Sequence, residues 1–311
     1  MIKILRGFWE LLVEAGEEFV DDHASKLSAS LAYYALFSIG PLLLVIITLL
    51  GFFYRKMDVS AEIFDEVRAL IGANATGQLQ TILTNMSQQT NKTLIGIIGI
   101  LVFVFGATGI FSEIQSSMNF LWSVKAKPKR SWLKYITDRL LSLVLVIGLG
   151  ALMMVTILLN FLVDLAANRL KQLPVDVNIV LLKAVNLGLL FVIVTLVFFV
   201  IFKVLPDAWV HWKDALVGAI FTTVLFVIGK FLLSYYFGIS KSLNLYGAAT
   251  SIILVLSWVY YCAMILYYGG EFTEAYAHRF GKGIKVNHKA VHIHKHEKEV
   301  AAPRKKTDGE A

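Results

Sequence analysis

The sequence predicts an all-α membrane protein with six transmembrane helices, an N-terminal amphipathic helix and further amphipathic helices on the extracytoplasmic side. Three observations lead there. Of the 311 residues, 57% are hydrophobic and only 16% are charged, more apolar surface than a soluble domain of this length can hide. Six apolar runs, at about 29–54, 94–122, 137–163, 178–202, 212–237 and 246–271, each reach the roughly 20 helical residues needed to cross about 30 Å of hydrocarbon. The polar segments between them differ sharply in basic content.

Residues 1–28 form the first element. Lys3, Arg6, Glu10, Glu14, Glu17 and Asp21 alternate with Ile4, Leu5, Phe8, Trp9, Leu12 and Phe19 at a helical period, which predicts an amphipathic helix lying on the membrane surface. Its acidic residues argue against a cleaved signal peptide. Span one contains Pro41, which removes a backbone donor and predicts a kink. That kink is either a simple bend or a broken helix of the kind transporters use to expose backbone groups. In the polar segment 55–92, Val59, Ile63, Val67, Leu70 and Ile71 make one stripe and Leu79, Ile82, Leu83 and Met86 another, around a break at 72–77. Two short amphipathic helices follow from that pattern.

Span two carries Gly96, Gly99, Gly106 and Gly109 near one face and turns polar at Glu113, Gln115 and Asn119. Small residues permit close helix approach, so this span is expected at the centre of the bundle. A basic loop, Lys125 to Arg130, leads to spans three and four. The last two spans form a hairpin that begins with Leu205-Pro206 and a Trp209/Trp212 belt, contains Lys230, and ends at Gly269-Gly270-Glu271. Residues 278–311 are basic and polar and are expected to be disordered. His288, His292, His294 and His296 of that tail lack acidic or cysteine partners, so no metal and no cofactor is expected. The only cysteine, Cys262, lies inside the last span, so no internal disulfide can form.

Six spans put both termini on one side. Of the 29 lysines and arginines, 20 fall on that side, eight on the other, and Lys230 lies within a span. The positive-inside rule then places both termini in the cytoplasm of a bacterial inner membrane. The same distribution explains the net charge of +7 without a nucleic-acid partner; the expected partners are membrane lipids, anionic ones included.

Depth sorts the ionisable and amide side chains into two layers, because a helix rises about 1.5 Å per residue. Lys230, Lys183, Asn186, Asn160 and Asp164 fall in an outer layer that could receive an anionic headgroup from between helices. The competing reading is lysine snorkelling with Asp164 in an ion pair. Glu113, Arg139 and Glu271 fall in an inner layer, as a relay for protons or ions or as a structural Glu113–Arg139 pair with Glu271 capping the bundle. Lys230 and Glu271 therefore lie near opposite faces of the membrane and do not meet.

The run Ala29-Ser-Leu-Ala-Tyr33-Tyr34-Ala-Leu-Phe-Ser38-Ile-Gly-Pro41, with Leu205-Pro206, Gly218-Ala219, Tyr246-Gly247, Trp258, Tyr260 and Gly270-Glu271, resembles the YihY/BrkB family of bacterial inner-membrane proteins. The resemblance covers about residues 20–280 and implies a six-helix architecture. It implies no catalytic residues, although the family has carried a "ribonuclease BN" label and a virulence label. Two-metal phosphodiester hydrolysis needs clustered His and Asp ligands on a water-accessible scaffold, which the tail alternation His292-Ile-His294-Lys-His296 does not offer. Some relatives are connected with movement of anionic lipid precursors, in line with the outer basic layer. The expected function is a transporter or flippase-like protein for an anionic amphiphile. The rival is a non-catalytic scaffold that binds partners through its N-terminal helix and tail. An intramembrane enzyme ranks third, for want of a nucleophile and base at usable spacing.

Overall fold

The computed structural model describes residues 2–53, 108–126, 132–133, 136–145, 148, 179–239, 249–286 and 290–292. Among these the protein is overwhelmingly helical: α1 (Ile2–Asp21), α2 (Ala24–Phe53), α3 (108–121), α4 (136–145), α5 (Ile179–Val204), α6 (Trp212–Ile239) and α7 (Ala249–Arg279). Four short strands complete it: β1 (Val124–Ala126), β2 (Ala208–Trp209), β3 (Lys285–Val286) and β4 (Ala290–His292). The expected amphipathic helices of 55–92, the glycines at 96, 99 and 106 and most of span three lie outside the described residues.

Two described helices are long and apolar enough to cross a membrane, over Leu187–Val204 and Trp212–Leu232. Their outward faces are apolar at helical spacing. Val192 and Leu196 on α5 and Ile220, Val224 and Ile228 on α6 are exposed four residues apart, as are Tyr33 and Phe37 on α2 and Leu140 and Val144 on α4. A soluble protein rarely leaves such a girdle in water; a bilayer covers it at no cost. The inward faces meet in one core that includes Leu31, Phe111, Met118, Trp122, Phe202, Leu205, Ala219 and Leu266.

The α6–α7 hairpin is closed by two glycine–threonine pairs. A Cβ on Gly218 would stand 1.9 Å from Thr273 Oγ1, and a Cβ on Gly269 would stand 1.9 Å from Thr222 Oγ1. Each threonine thus fills the notch left by a glycine on the other helix. Each hydroxyl is satisfied within its own helix, Thr222 donating to Gly218 O at 2.7 Å and Thr273 to Gly269 O at 2.6 Å. Both threonines are fully buried, and no hydroxyl is left facing hydrocarbon without an acceptor.

The helix α1 ends at Asp21, and His23 makes the turn into α2 with a left-handed φ of 53°. One apolar face of α1 packs on the bundle. Leu11 and Ala15 are buried against Phe272 and Ala275 of α7, with Val217 and Phe221 of α6 alongside. Phe8 meets Phe272 edge-on at 6.0 Å, and the Tyr268 hydroxyl donates to Leu12 O at 3.0 Å. The charged stripe is tied as well, Arg279 pairing with Glu10 and lying 3.7 Å from Glu14. This explains why α7 continues to Arg279 rather than stopping at 271: its last turns supply the apolar face on which α1 packs.

The segment after α7 departs from the disordered tail that its composition predicts. Gly283 turns the chain with φ +68°, and Lys285–Val286 then pairs antiparallel with β2 while Ala290–His292 pairs antiparallel with β1. Composition misses this because the strands are short and their partners are distant in sequence. The ends of α3, α5 and α7 and the start of α6 are thereby stitched at one end of the molecule. Asp214 anchors the strap, accepting from Lys282 N at 3.3 Å, and Asn119 and Asp207 exchange two hydrogen bonds at 2.9 and 2.8 Å.

Two outcomes follow for the packing. Gly218→Ala is expected to lower stability by about 1–3 kcal/mol through overpacking, and Thr273→Gly in the same chain to recover much of it; thermal unfolding in detergent reads both, and an additive double variant would refute the notch. Glu10 is held below the usual carboxylate range by the hydrogen bond from Arg279. Its folded-state value is lowered, so the α1–α7 tie is at full strength above the ordinary carboxylate value and weakens as pH falls through the lowered one. Hydrogen exchange of α1 is expected to rise in acid, and Glu10→Gln to remove the acid-dependent part.

Candidate functional site

The apolar sequence of the bundle leaves few polar side chains inside it, and several of the described ones gather at the seam between α2, α3 and α7. At the α1 end, the carboxylates of Glu18, Glu271 and Glu274 bring their oxygens within 4.8 Å of one another, with Glu271 at 0% exposure. One turn along α7 from Glu271, Tyr267 is fully buried with Ser117 and Glu113 as polar neighbours. Glu113 accepts from Ser30 of α2 at 2.5 Å. Further along, Ser38 packs on Gly109, where a Cβ would meet its Oγ at 3.4 Å, and Arg139 of α4 donates to Thr108 at the start of α3. Trp122 floors the seam, its indole N–H donating to Gly270 O at 3.1 Å.

The helix period explains the convergence. Residues 267, 271 and 274 of α7 share one face at spacings of four and three, as do 113 and 117 of α3. Each position is polar where the flanking apolar residues point outward or into the aliphatic core. The result is a column of hydroxyls and carboxylates enclosed by an apolar girdle. Such a cluster of oxygens can bind a proton, a cation or a polar group.

A sequence profile of the virulence factor BrkB family matches residues 15–294, from Ala15 in α1 to beyond β4, and so contains the whole column and both β ladders. The chain belongs to the BrkB family. It is 27% identical over 268 residues to a UPF0761 membrane protein of Tolumonas auensis, covering 81% of this chain and 80% of that one. It is 29% identical over 265 residues to a UPF0761 membrane protein of Vibrio parahaemolyticus, covering 82% and 78%. The ribonuclease-like protein YfkH of Bacillus subtilis is 24% identical over 251 residues, covering 78% and 86%. No solved structure matches the chain. This BrkB-family chain is therefore a membrane protein, and its relatives' names carry no catalytic residues.

Of the predicted inner layer, Glu113 and Glu271 lie on this one seam, on α3 and α7, and Arg139 joins it through Thr108. Sequence reasoning missed Ser30, Ser117, Tyr267, Glu18 and Glu274. Their signal was present: Ser30 sits in the motif-bearing run of span one, and Glu274 continues the α7 face one turn past Glu271. Of the outer layer, Lys230 is exposed on α6 beside Phe231 and Leu232. Its neighbour Gly229 lies against Tyr261, ten residues before Glu271 and so about 15 Å from it along α7. The backbone positions of Lys183 and Asn186 are in α5, but their side chains, and Asn160 and Asp164 altogether, lie outside the described residues. The helix α2 continues through Pro41. Of the tail histidines only His292 is described, on β4 opposite Val124.

Removing either partner of the Ser30–Glu113 bond is expected to destabilise the bundle by about 1–3 kcal/mol, because the other is left part-buried without it. Ser30→Ala and Glu113→Gln, alone and together, measured by thermal unfolding, should show that the double change costs less than the sum of the single changes.

Proposed function

We propose that the protein is a six-span inner-membrane transporter, flippase-like in mechanism, for an anionic amphiphile, with both termini in the cytoplasm. The observation that carries this reading is the enclosed polar column, headed by the fully buried Glu271 and surrounded by outward-facing apolar stripes. An ionisable side chain inside a membrane bundle is costly, and where it occurs it marks a path or a binding site. The six-span count is supported by how the ends gather. The ends of α3, α5 and α7 and the start of α6 share one side through the β ladders, so α5, α6 and α7 alternate in direction as three consecutive spans would.

The cargo assignment rests on Lys230. An exposed ammonium on the flank of a span-length helix, among Phe231, Leu232 and Ile228, is open to a headgroup arriving from between helices rather than through an aqueous mouth. In this reading Lys183, Asn186, Asn160 and Asp164 complete the outer site, and Glu113, Glu271 and Arg139 form the inner, proton-handling layer. The ribonuclease-like label of the Bacillus relative is not carried over. The acidic cluster here centres on a carboxylate closed to solvent.

A scaffold reading has one observation in its favour. Trp9, Val13 and Val20 form an exposed apolar stripe on α1, opposite the face that packs on α7. The two readings separate in reconstituted vesicles. Transport predicts that Lys230→Ala slows translocation of a fluorescent anionic lipid at least about tenfold, the loss of about 1.4 kcal/mol or more of headgroup attraction, and that Glu271→Gln abolishes its dependence on a pH gradient. The scaffold reading predicts that neither substitution has any effect, while deleting 293–311 abolishes the cellular phenotype.

A further inference from the structure

At the stitched end of the molecule, outside the column, three rings stand in a row. The Trp209 and His211 ring centroids are 6.1 Å apart, and those of His211 and Trp212 are also 6.1 Å apart. A lysine closes each end. Lys203 Nζ lies 4.9 Å from the Trp209 ring centre and Lys213 Nζ lies 5.6 Å from that of Trp212. Trp209 and Trp212 are about half exposed. Lys213 is exposed, as is Lys285, which sits directly opposite Trp209 on the β2–β3 ladder.

The acidic side chains of this region are committed elsewhere. Asp214 is buried and turned toward the strap, accepting from Lys282 N, and Asp207 is held by Asn119. The exposed face of the row therefore presents ammonium groups and indole rings. Trp212 also stands at the foot of the outward apolar line of α6, eight residues before Ile220 and then Val224 and Ile228. Successive steps of four drift by about 40°, so this row winds obliquely around α6, and an acyl chain following it down from Ile220 would bring its headgroup toward the ring row at the foot of the helix.

We propose that Lys203, Trp209, His211, Trp212 and Lys213, with Lys285, form a binding site for the phosphate of an anionic phospholipid in the leaflet at the stitched end. The lysine ammoniums take the phosphate charge, while the indoles lie at the level where an apolar body and a polar N–H are both satisfied. Cation–π contact fixes Lys203 and Lys213, and Lys203 also donates to Val210 O, which leaves each with further N–H donors. The site is separate from the outer-layer Lys230 and does not require that anything be transported. A free phosphate ion shares the charge but has no chain to lay on Ile220, Val224 and Ile228.

The test is lipid retention by the full-length protein released from nanodiscs containing phosphatidylglycerol and phosphatidylcholine, read by native mass spectrometry. Wild type is expected to retain phosphatidylglycerol preferentially, and Lys213→Gln with Lys285→Gln to reduce that preference by about fivefold per lysine. Lys213→Arg with Lys285→Arg should keep it, which separates charge from any effect on folding. An unchanged preference in the double glutamine variant, or equal retention of both lipids by wild type, overturns the site. Displacement of the lipid by millimolar inorganic phosphate also overturns it, in favour of a soluble anion.

Discussion

The close approach of α6 and α7 is the constraint on which the remaining packing depends. In a bilayer the hydrophobic effect does not press helices together, because lipid chains are as apolar as leucine. Contact must come from shape and from hydrogen bonds that leave no polar atom unsatisfied. The reciprocal Gly218–Thr273 and Gly269–Thr222 notches meet both needs. They also fix the rotation of α7, and that rotation turns Tyr267, Glu271 and Glu274 toward α2, α3 and α1. A hairpin held farther apart or rotated by one residue would point Glu271 into lipid, a cost of several kcal/mol.

The same end of α7 is fixed from three other directions. The helix α1 covers its aromatic face through Phe8, Leu11 and Ala15. The indole of Trp122 caps the carbonyl of Gly270 from α3. The strap leaves α7 at Gly281, against Asp214 of α6, and returns to pair with β2 and β1. None of these contacts is strong singly, since a neutral hydrogen bond nets about 1 kcal/mol. Together they make the ends of α3, α5, α6 and α7 one body, with the acidic cluster at its centre.

Much of this was legible in the sequence, and the reason is periodicity. Apolar runs of spanning length placed α5 and α6 to within two residues at either end, because in hydrocarbon the run length and the helix length are nearly the same quantity. Depth puts Glu113, Arg139 and Glu271 in one layer but gives no sign of the Ser30 partner of Glu113, since serine in a span reads as a small packing residue. Two features escaped for physical reasons. The last turns of α7 lie past the spanning run that ends at 271, because their apolar residues are spaced for one helix face rather than for lipid all round. The strands at 285–286 and 290–292 owe their conformation to β2 and β1, about 75 and 165 residues earlier, and local propensity cannot report a partner so distant.

The placement of charge on α1 bears on how the bundle end meets its surroundings. The helix offers three stripes: an apolar one buried on α7, an acidic one of Glu10, Glu14, Glu17 and Asp21, and a second apolar one of Trp9, Val13 and Val20 that faces outward. An isolated amphipathic helix with this much acid would be repelled by an anionic leaflet. Arg279 offsets part of that charge at Glu10 and Glu14, while the lysines near Trp209 and Trp212 attract the same leaflet from the other flank. Opposite charges on two flanks of one rigid end define an orientation. On the lipid site proposed above, the lysine and tryptophan flank would turn toward the headgroups and the acidic stripe away from them, with Trp9, Val13 and Val20 at the boundary between, where an indole is at home.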